Sequence, residues 1–317
     1  MGIAPLFDPE KGVTVLEPLG TGSGYWVGAP GVIYDDEKNR FYLYYRLRIP
    51  KPGRGIECRV AESEDGLHFT DIWSAKKEQF PTSSMERASL TKCLDGLYRL
   101  YVSYVDPIDN KWRTDMMEAK SPSEFDISSR KKVFTASDVG AEGVKDPYVV
   151  IIGRLYYMFL SYAPTPTGID ENLRQEMHAT ADVYNTGLTR SHSALAISSD
   201  GVNFKWLGDV MSPGSSGWDS YATRICSVVY IPPVFTVFYD GSADVSENYE
   251  ERTGLAISWD LRRFEKITGN GPILVSPHAR GTLRYMDVIQ FEDEIFYYYE
   301  YARGDGSHEL RLNRVSV

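Results

Sequence analysis

Four carboxylates, Glu86, Asp146, Asp219 and Asp287, stand in or just ahead of β-forming runs, each with a cationic or aromatic neighbour. Glu86 precedes Arg87, Asp146 follows Lys145, Asp219 lies between Trp218 and Tyr221, and Asp287 closes the run Arg284-Tyr285-Met286. Carboxylates brought together can do acid–base work on a glycosidic oxygen: one gives a proton while the other activates water or attacks directly. Tyr25, Trp26, Trp218, Tyr221 and Tyr285 offer aromatic faces of the kind that stack on a sugar ring and leave a polar tip to hydrogen-bond. Arg46, Arg87, Arg224 and Arg284 carry planar donor forks suited to carboxylate or phosphate. In a chain of formal net charge −10, guanidinium groups converging on one place point to an anionic ligand, a phosphate or a uronate.

Each of these residues also has a plain structural reading. Asp-Pro is a common turn dipeptide, so Asp146 can cap a turn or pair with Lys145. Glu86 and Arg87 can form an ion pair between neighbouring units, and Trp218 can fill a gap in the packing. Pro147 has no N–H to give a ladder, which places Asp146-Pro147 at the head of a strand. Strand alternation then aims Lys145 away from Asp146. The five histidines show no HxH or HExxH spacing, so neither a metal nor another cofactor is expected.

Residues this far apart in sequence act together only if the fold is circular, and an internal repeat supplies the circle. Short aromatic runs recur as RFYLYYR (40–46), YRLYVSY (98–104), LYYMFLSY (155–162), VFTVFYD (234–240) and IFYYYEY (295–301). A second element follows in RVAESEDGLHF (59–69), MEAKSPSEF (117–125), LAISSDGVNF (195–204) and LAISWDLRRF (255–264), reading as strand, tight turn and strand. A third run precedes each aromatic strand. With a period of roughly 60 residues and four strands per unit, the repeat has the size of a propeller blade. The expected fold is all-β, a five-bladed β-propeller of four-stranded antiparallel blades forming one domain over 1–317, with an N-terminal strand completing the truncated last blade. An insertion at 163–190 interrupts blade three, and IDENLRQEMHAT within it reads as a short helix with Asp170 near its start.

Composition narrows the partners. Acidic residues outnumber basic ones by 44 to 34, which disfavours nucleic acid and anionic membrane surfaces. Cys58, Cys93 and Cys226 are odd in number and widely spaced, which suits a reducing compartment. MGIAPLFDPEKG has neither a basic start nor an apolar core, and no run reaches membrane-spanning length, so a cytoplasmic protein is expected.

GVKDPYVVIIGRLYYMFLSY resembles the family 130 glycoside hydrolase pattern, in which Glu-Asp-Pro-Arg precedes a strand and a Tyr-Tyr-Met strand follows. GAPGVIYDDEKNRFYLYYR is similar to that family's first blade. The Ala-x-Ser-x-Asp-Gly-x-x-Phe hairpin is shared by the five-bladed families 43, 32, 68, 117 and 130. The resemblance covers nearly the whole chain and implies a glycoside hydrolase or phosphorylase. Under family 130, Asp146 is the proton donor; under family 43, the same residue orients the acid. The chain departs from the pattern where families 43, 32 and 68 carry a blade-one carboxylate, here Ala29-Pro30, and where Lys145 and Tyr148 replace the family 130 Glu and Arg. The implied partner is an oligosaccharide or glycoside, with inorganic phosphate if cleavage is phosphorolytic. The alternative is a non-catalytic sugar-binding propeller, which accounts for the aromatics and arginines and for the missing blade-one carboxylate.

Overall fold

The structure, a computed structural model, describes residues 2–316. A short strand, β1 (Val13–Leu16), precedes a first unit of β2 (Trp26–Asp35), β3 (Arg40–Ile49), β4 (Arg54–Ser63) and β5 (Thr70–Lys76). The second unit is β6 (Met85–Lys92), β7 (Tyr98–Val105), β8 (Trp112–Ala119) and β9 (Lys131–Phe134). The third is β10 (Ala141–Ile152), β11 (Leu155–Pro164), β12 (His192–Ser198) and β13 (Lys205–Met211). The fourth is β14 (Ala222–Ile231), β15 (Val234–Ser242), β16 (Arg252–Ser258) and β17 (Glu265–Lys266). The last comprises β18 (Leu283–Phe291), β19 (Glu294–Ala302) and β20 (His308–Ser316), and β1 pairs antiparallel with β20 as its fourth strand. Among the described residues, the one ladder pair linking the last unit to the first is Trp26 with His308.

The first strands adjoin in sequence order, β2 to β6 to β10 to β14 to β18, and β18 returns to β2. Apolar clusters fill the junctions. Tyr44 and Val60 meet Tyr98 and Leu100, and Tyr101 and Met116 meet Met158 and Leu160. Phe159 meets Val237, Phe238 meets Tyr297, and Tyr298 meets Phe41, which closes the circle. The arrangement is nearly all-β and propeller-like, and each junction is built from the aromatic repeat visible in the sequence.

The hairpins between third and fourth strands follow from one device. Ser63, Ser198 and Ser258 each accept amide hydrogens from the turn, while Asp65, Asp200 and Asp260 accept from the next two amides. The carboxylate replaces ladder partners that a tight turn cannot provide.

The insertion folds over one end of the ring of its own chain. Its helix, α1 (Glu171–Ala179), is capped by Asp170, whose carboxylate accepts from the Leu173 amide at 2.8 Å. Fully buried Glu142 on β10 anchors α1 by binding Arg174 and His178, and hydrogen bonds from Arg174, His178 and Thr165, with the Lys111 charge, outweigh its burial and hold it at about 2. Beyond α1, Asp182 accepts from Tyr249 and Asn185 and faces Arg54 and Lys51 at 3.4 Å, while Arg54 donates to the Ala181 carbonyl at 2.7 Å. The insertion is thereby fastened to the first and fourth units.

Packing between units is tight enough to require a glycine. A Cβ on Gly55 of β4 would lie 1.9 Å from the Met85 carbonyl oxygen of β6, a backbone atom that cannot step aside. Gly55→Ala is expected to cost about 1–3 kcal/mol, as overpacking does. A urea-denaturation midpoint indistinguishable from that of the unsubstituted chain would contradict this close approach.

Candidate active site

Every first strand carries a register shift at the same place: Gly28/Gly31, Met85/Ala88, Lys145/Tyr148, Ile225/Ser227 and Arg284/Asp287. Extra residues in one strand bend it and re-aim its side chains. Ala29, Asp146 and Tyr285 occupy matching bulge positions, and all three have left-handed backbones, with φ of 53°, 53° and 54°. The expectation for the Asp-Pro pair therefore needs correction. Asp146 and Pro147 sit mid-strand in β10, where the bulge leaves the proline without a ladder hydrogen bond to donate. Alternation fails at the same bulge, and Lys145 turns toward its neighbour, with Nζ 3.2 Å from Asp146 Oδ2.

Around the axis the charges form one buried network. Arg46 Nε lies 3.1 Å from Glu86 Oε2, and its Nη2 lies 3.1 Å from Glu300 Oε2. Arg48 holds the other Glu86 oxygen at 2.7 Å. Arg224 binds Asp240 at 2.7 Å, and Asp146 and Glu251 each at 3.1 Å. Arg284 bridges Glu251 at 2.5 Å and Glu300 at 2.7 Å, and His308 Nδ1 reaches Glu300 Oε1 at 2.7 Å. Glu86 is 4% exposed and Asp146 0%, so these pairs stand away from bulk water. Burial alone raises a carboxyl's pKa, yet Arg46 and Arg48 hold Glu86 down at about 2. Glu300 is likewise driven well below the usual carboxylate range, against its burial, by Arg284 and Arg46. Asp240 goes the other way: burial and the Glu251 charge raise it in spite of Arg224.

Aromatic rings cover the network. Arg48 lies 5.0 Å from the Trp26 ring and 4.6 Å from that of Tyr249, and Lys145 lies 4.9 Å from Trp112 and 4.8 Å from Tyr184. Trp26 also stacks on His308, with centroids 4.5 Å apart. Tyr184 comes from the insertion, so the segment fastened at Asp182 contributes a ring beside the Lys145–Asp146 pair.

Within this arrangement Asp146 Oδ2 is bound on two sides, while Oδ1 is buried with no hydrogen-bond partner among the described residues. An unpaired buried carboxylate oxygen is costly, and such atoms persist where a ligand or a reaction uses them.

Of the residues singled out from sequence, Glu86, Asp146, Arg46, Arg224, Arg284, Tyr285 and Trp26 meet here. Asp219 does not: it binds Lys266 at 2.7 Å and Tyr239 at 3.0 Å on the flank of the fourth unit. Trp218 beside it donates to the Thr268 carbonyl. Tyr221 donates to the Tyr184 carbonyl and supports the insertion from below, and Tyr25 accepts the His308 amide through its carbonyl. Each axial guanidinium already holds a carboxylate of this chain, which leaves little donor capacity for an anionic ligand. Sequence reasoning passed over Asp240, Glu251, Glu300 and His308. Asp240 and Glu300 were detectable as the acidic residues at the last position of VFTVFYD and the last but one of IFYYYEY, where Arg46 stands in RFYLYYR.

No family model matches the chain, and no curated protein does. Solved structures similar to it include one described as a glycoside hydrolase, with TM-score 0.66 and 14% identity over 96% of this chain and 92% of that one. A thermostable family-43 glycoside hydrolase has TM-score 0.63 and 17% identity, again over 96% and 92%. A third comes from work on the GH130 family of mannoside phosphorylases, described as containing glycoside hydrolases that target β-1,2 mannosidic linkages in Candida mannan. Its TM-score is 0.60 at 14% identity over 98% of this chain and 96% of that one. At these identities the likeness is one of fold.

Asp287 and Arg87 form a separate layer of the interior. Arg87 Nη2 stands 3.7 Å from Asp287 Oδ2, which accepts the Val32 amide at 2.8 Å. Burial pushes the Asp287 carboxyl up to about 6 despite Arg87. A folded-state pKa above the unfolded value of 3.8 means that this group's contribution is fully present below pH 4 and is lost as pH rises through 6. Asp287→Asn is expected to remove a decline in unfolding free energy of about 3 kcal/mol between those limits. Denaturant titrations of both forms at a series of pH values check this, and parallel pH profiles would refute it.

Proposed function

We propose that this chain is a carbohydrate-active enzyme that cleaves a glycosidic bond at the axial cluster, its four-stranded units forming the five blades of a propeller. Asp146 is the acid and Glu86 its ionised partner. The observation that carries this reading is the unpaired, fully buried Oδ1 of Asp146, held in a strained left-handed bulge inside a charged and otherwise paired site. Strain and an unmet hydrogen bond on one side chain each cost stability and contribute nothing to the packing of the blades.

The chemistry follows from the two environments. Asp146 Oδ1 is the atom free to meet a glycosidic oxygen and pass it a proton as the bond to the anomeric carbon breaks. Glu86, kept ionised by Arg46 and Arg48, either takes a proton from an attacking water or bonds to the anomeric carbon itself. Asp219 is too far out on the fourth unit to serve, and Asp287 is bound into the layer with Arg87. Phosphorolysis would require phosphate to displace a carboxylate from Arg46, Arg224 or Arg284, so hydrolysis is the better supported of the two routes.

Cys58, Cys93 and Cys226 are all buried and unbridged, which supports a reducing, cytoplasmic setting. Among the described residues no helix is long and apolar enough to cross a membrane.

The test is product release from β-mannosides, arabinosides, galactosides and uronate-containing oligosaccharides, with and without inorganic phosphate. Asp146→Asn and Glu86→Gln are each expected to lower turnover by about 10²–10⁴-fold, the range for loss of a general acid or base. Turnover that needs phosphate would replace hydrolysis by phosphorolysis. Sugar binding without turnover on any glycoside would make the chain a binding propeller, with Ala29 as the reason.

A further inference from the structure

Tyr285 reads from the sequence as an aromatic face for a sugar, and its surroundings do not leave that face free. Arg224 lies 4.0 Å from the ring centroid, Arg284 5.0 Å and Arg46 6.0 Å. The side chain is 2% exposed. Its remaining function is the hydroxyl, which crosses from the last unit to the second and donates to Glu86 Oε2 at 3.4 Å.

The backbone is arranged around this reach. Tyr285 has φ of +54°, a conformation that is a genuine outlier for a bulky side chain and that persists only when neighbours enforce it. The enforcement is visible: its amide donates to both oxygens of Asp240 at 3.1 Å, and Arg224 holds the same Asp240. Arg224 also binds Asp146, so a single guanidinium lies against the tyrosine ring and the proposed acid together. The bulge that presents Tyr285 is the counterpart of the one that presents Asp146.

We propose that Tyr285 is a positioning residue of the reaction: its hydroxyl donates to the Glu86 carboxylate and fixes it in the axial site beside Asp146. This rests on the glycosidic reading of the site. Burial, with the charge of Glu86, keeps the proton on the phenol in spite of Arg224, while Glu86 stays ionised, so the hydrogen bond runs in one direction only. The same two facts argue against Tyr285 as a nucleophile, because Glu86, the acceptor of its proton, is a poor base.

Tyr285→Phe removes one oxygen and keeps the ring against its guanidinium groups. Turnover is expected to fall about 10- to 100-fold with KM within about twofold, the pattern of a misplaced catalytic group and not of lost binding. Crystals of Tyr285→Phe are expected to show the Glu86 carboxylate displaced by about 1 Å from its place between Arg46 and Arg48, a misplacement large enough for such a loss. In a Glu86→Gln background the tyrosine substitution should add almost nothing, since the two would act as one unit. A rise in KM with kcat unchanged would make Tyr285 a substrate-binding residue and overturn the proposal. So would an unmoved Glu86 in those crystals. If no glycoside is turned over by the unsubstituted chain, the enzymatic reading fails on its own, and the position of Glu86 in the two crystals still decides this one.

Discussion

Charge withdrawn from water has to be neutralised where it lands, and the centre of this protein is organised by that requirement. Arg46, Arg48, Lys145, Arg224 and Arg284 are matched by Glu86, Asp146, Asp240, Glu251 and Glu300, each cation with a carboxylate within 3.2 Å. Removing one member of such a set strands its partner, which typically costs about 3–5 kcal/mol, so the set is kept or lost as a block. A network of this kind is poor evidence for stability, since well-packed apolar residues would fill the same space at less cost. Its persistence fits a site that must hold several carboxylates in unlike electrostatic states. Glu86 is held at about 2 while Asp240 is raised, although both are buried, and the difference lies in the several cations that face Glu86 and in the Glu251 charge beside Asp240.

The bulges make that convergence possible. In an unbroken strand only alternate side chains face inward, and a ring of first strands could offer few ionic groups at one level. The register shifts let adjacent residues such as Lys145 and Asp146 reach the axis together. They also explain why prolines are tolerated in the middle of β2 and β10: Pro30 and Pro147 fall where the ladder is already interrupted. The left-handed backbones at Ala29, Asp146 and Tyr285 are the cost of this geometry, and the packing of the whole ring sustains them.

The fold was legible because it is written in a redundant code. Aromatic runs, Ser-x-Asp turns and a regular period repeat often enough that one irregular copy, such as PSEF in the second unit, does not obscure the pattern. The N-terminal closing strand was legible from the truncated last repeat, and the α1 helix from its Asp170 cap. The site was harder to read because bulges leave no mark on residue type. Strand alternation sent Lys145 the wrong way, and counting back from β14 put Trp218 and Asp219 in the channel, when the loop before that strand lies on the flank. Asp240 and Glu300 were hidden inside aromatic runs that read as core. Pairing each second-strand residue with its first-strand partner, Arg224 with Asp240 and Arg284 with Glu300, would have exposed them.

The small residues of the first unit's bulge have a counterpart in the folded chain. Its bulge reads Gly28-Ala29-Pro30, and a Cβ on Gly28 would stand 2.4 Å from Glu300 Oε2. The first unit leaves axial volume open there, and a carboxylate from the last unit fills it. Glu300 is bound there by Arg46, Arg284 and His308, which leaves it little capacity to act as a base. The absence of a side chain at Gly28 and the presence of Glu300 are therefore complementary, and any side chain at position 28 would collide with that carboxylate. Under the proposed glycosidic reading, the partner of Asp146 comes from elsewhere in the ring. At the matching bulge position the second unit carries Glu86, which is ionised and which the Tyr285 hydroxyl reaches.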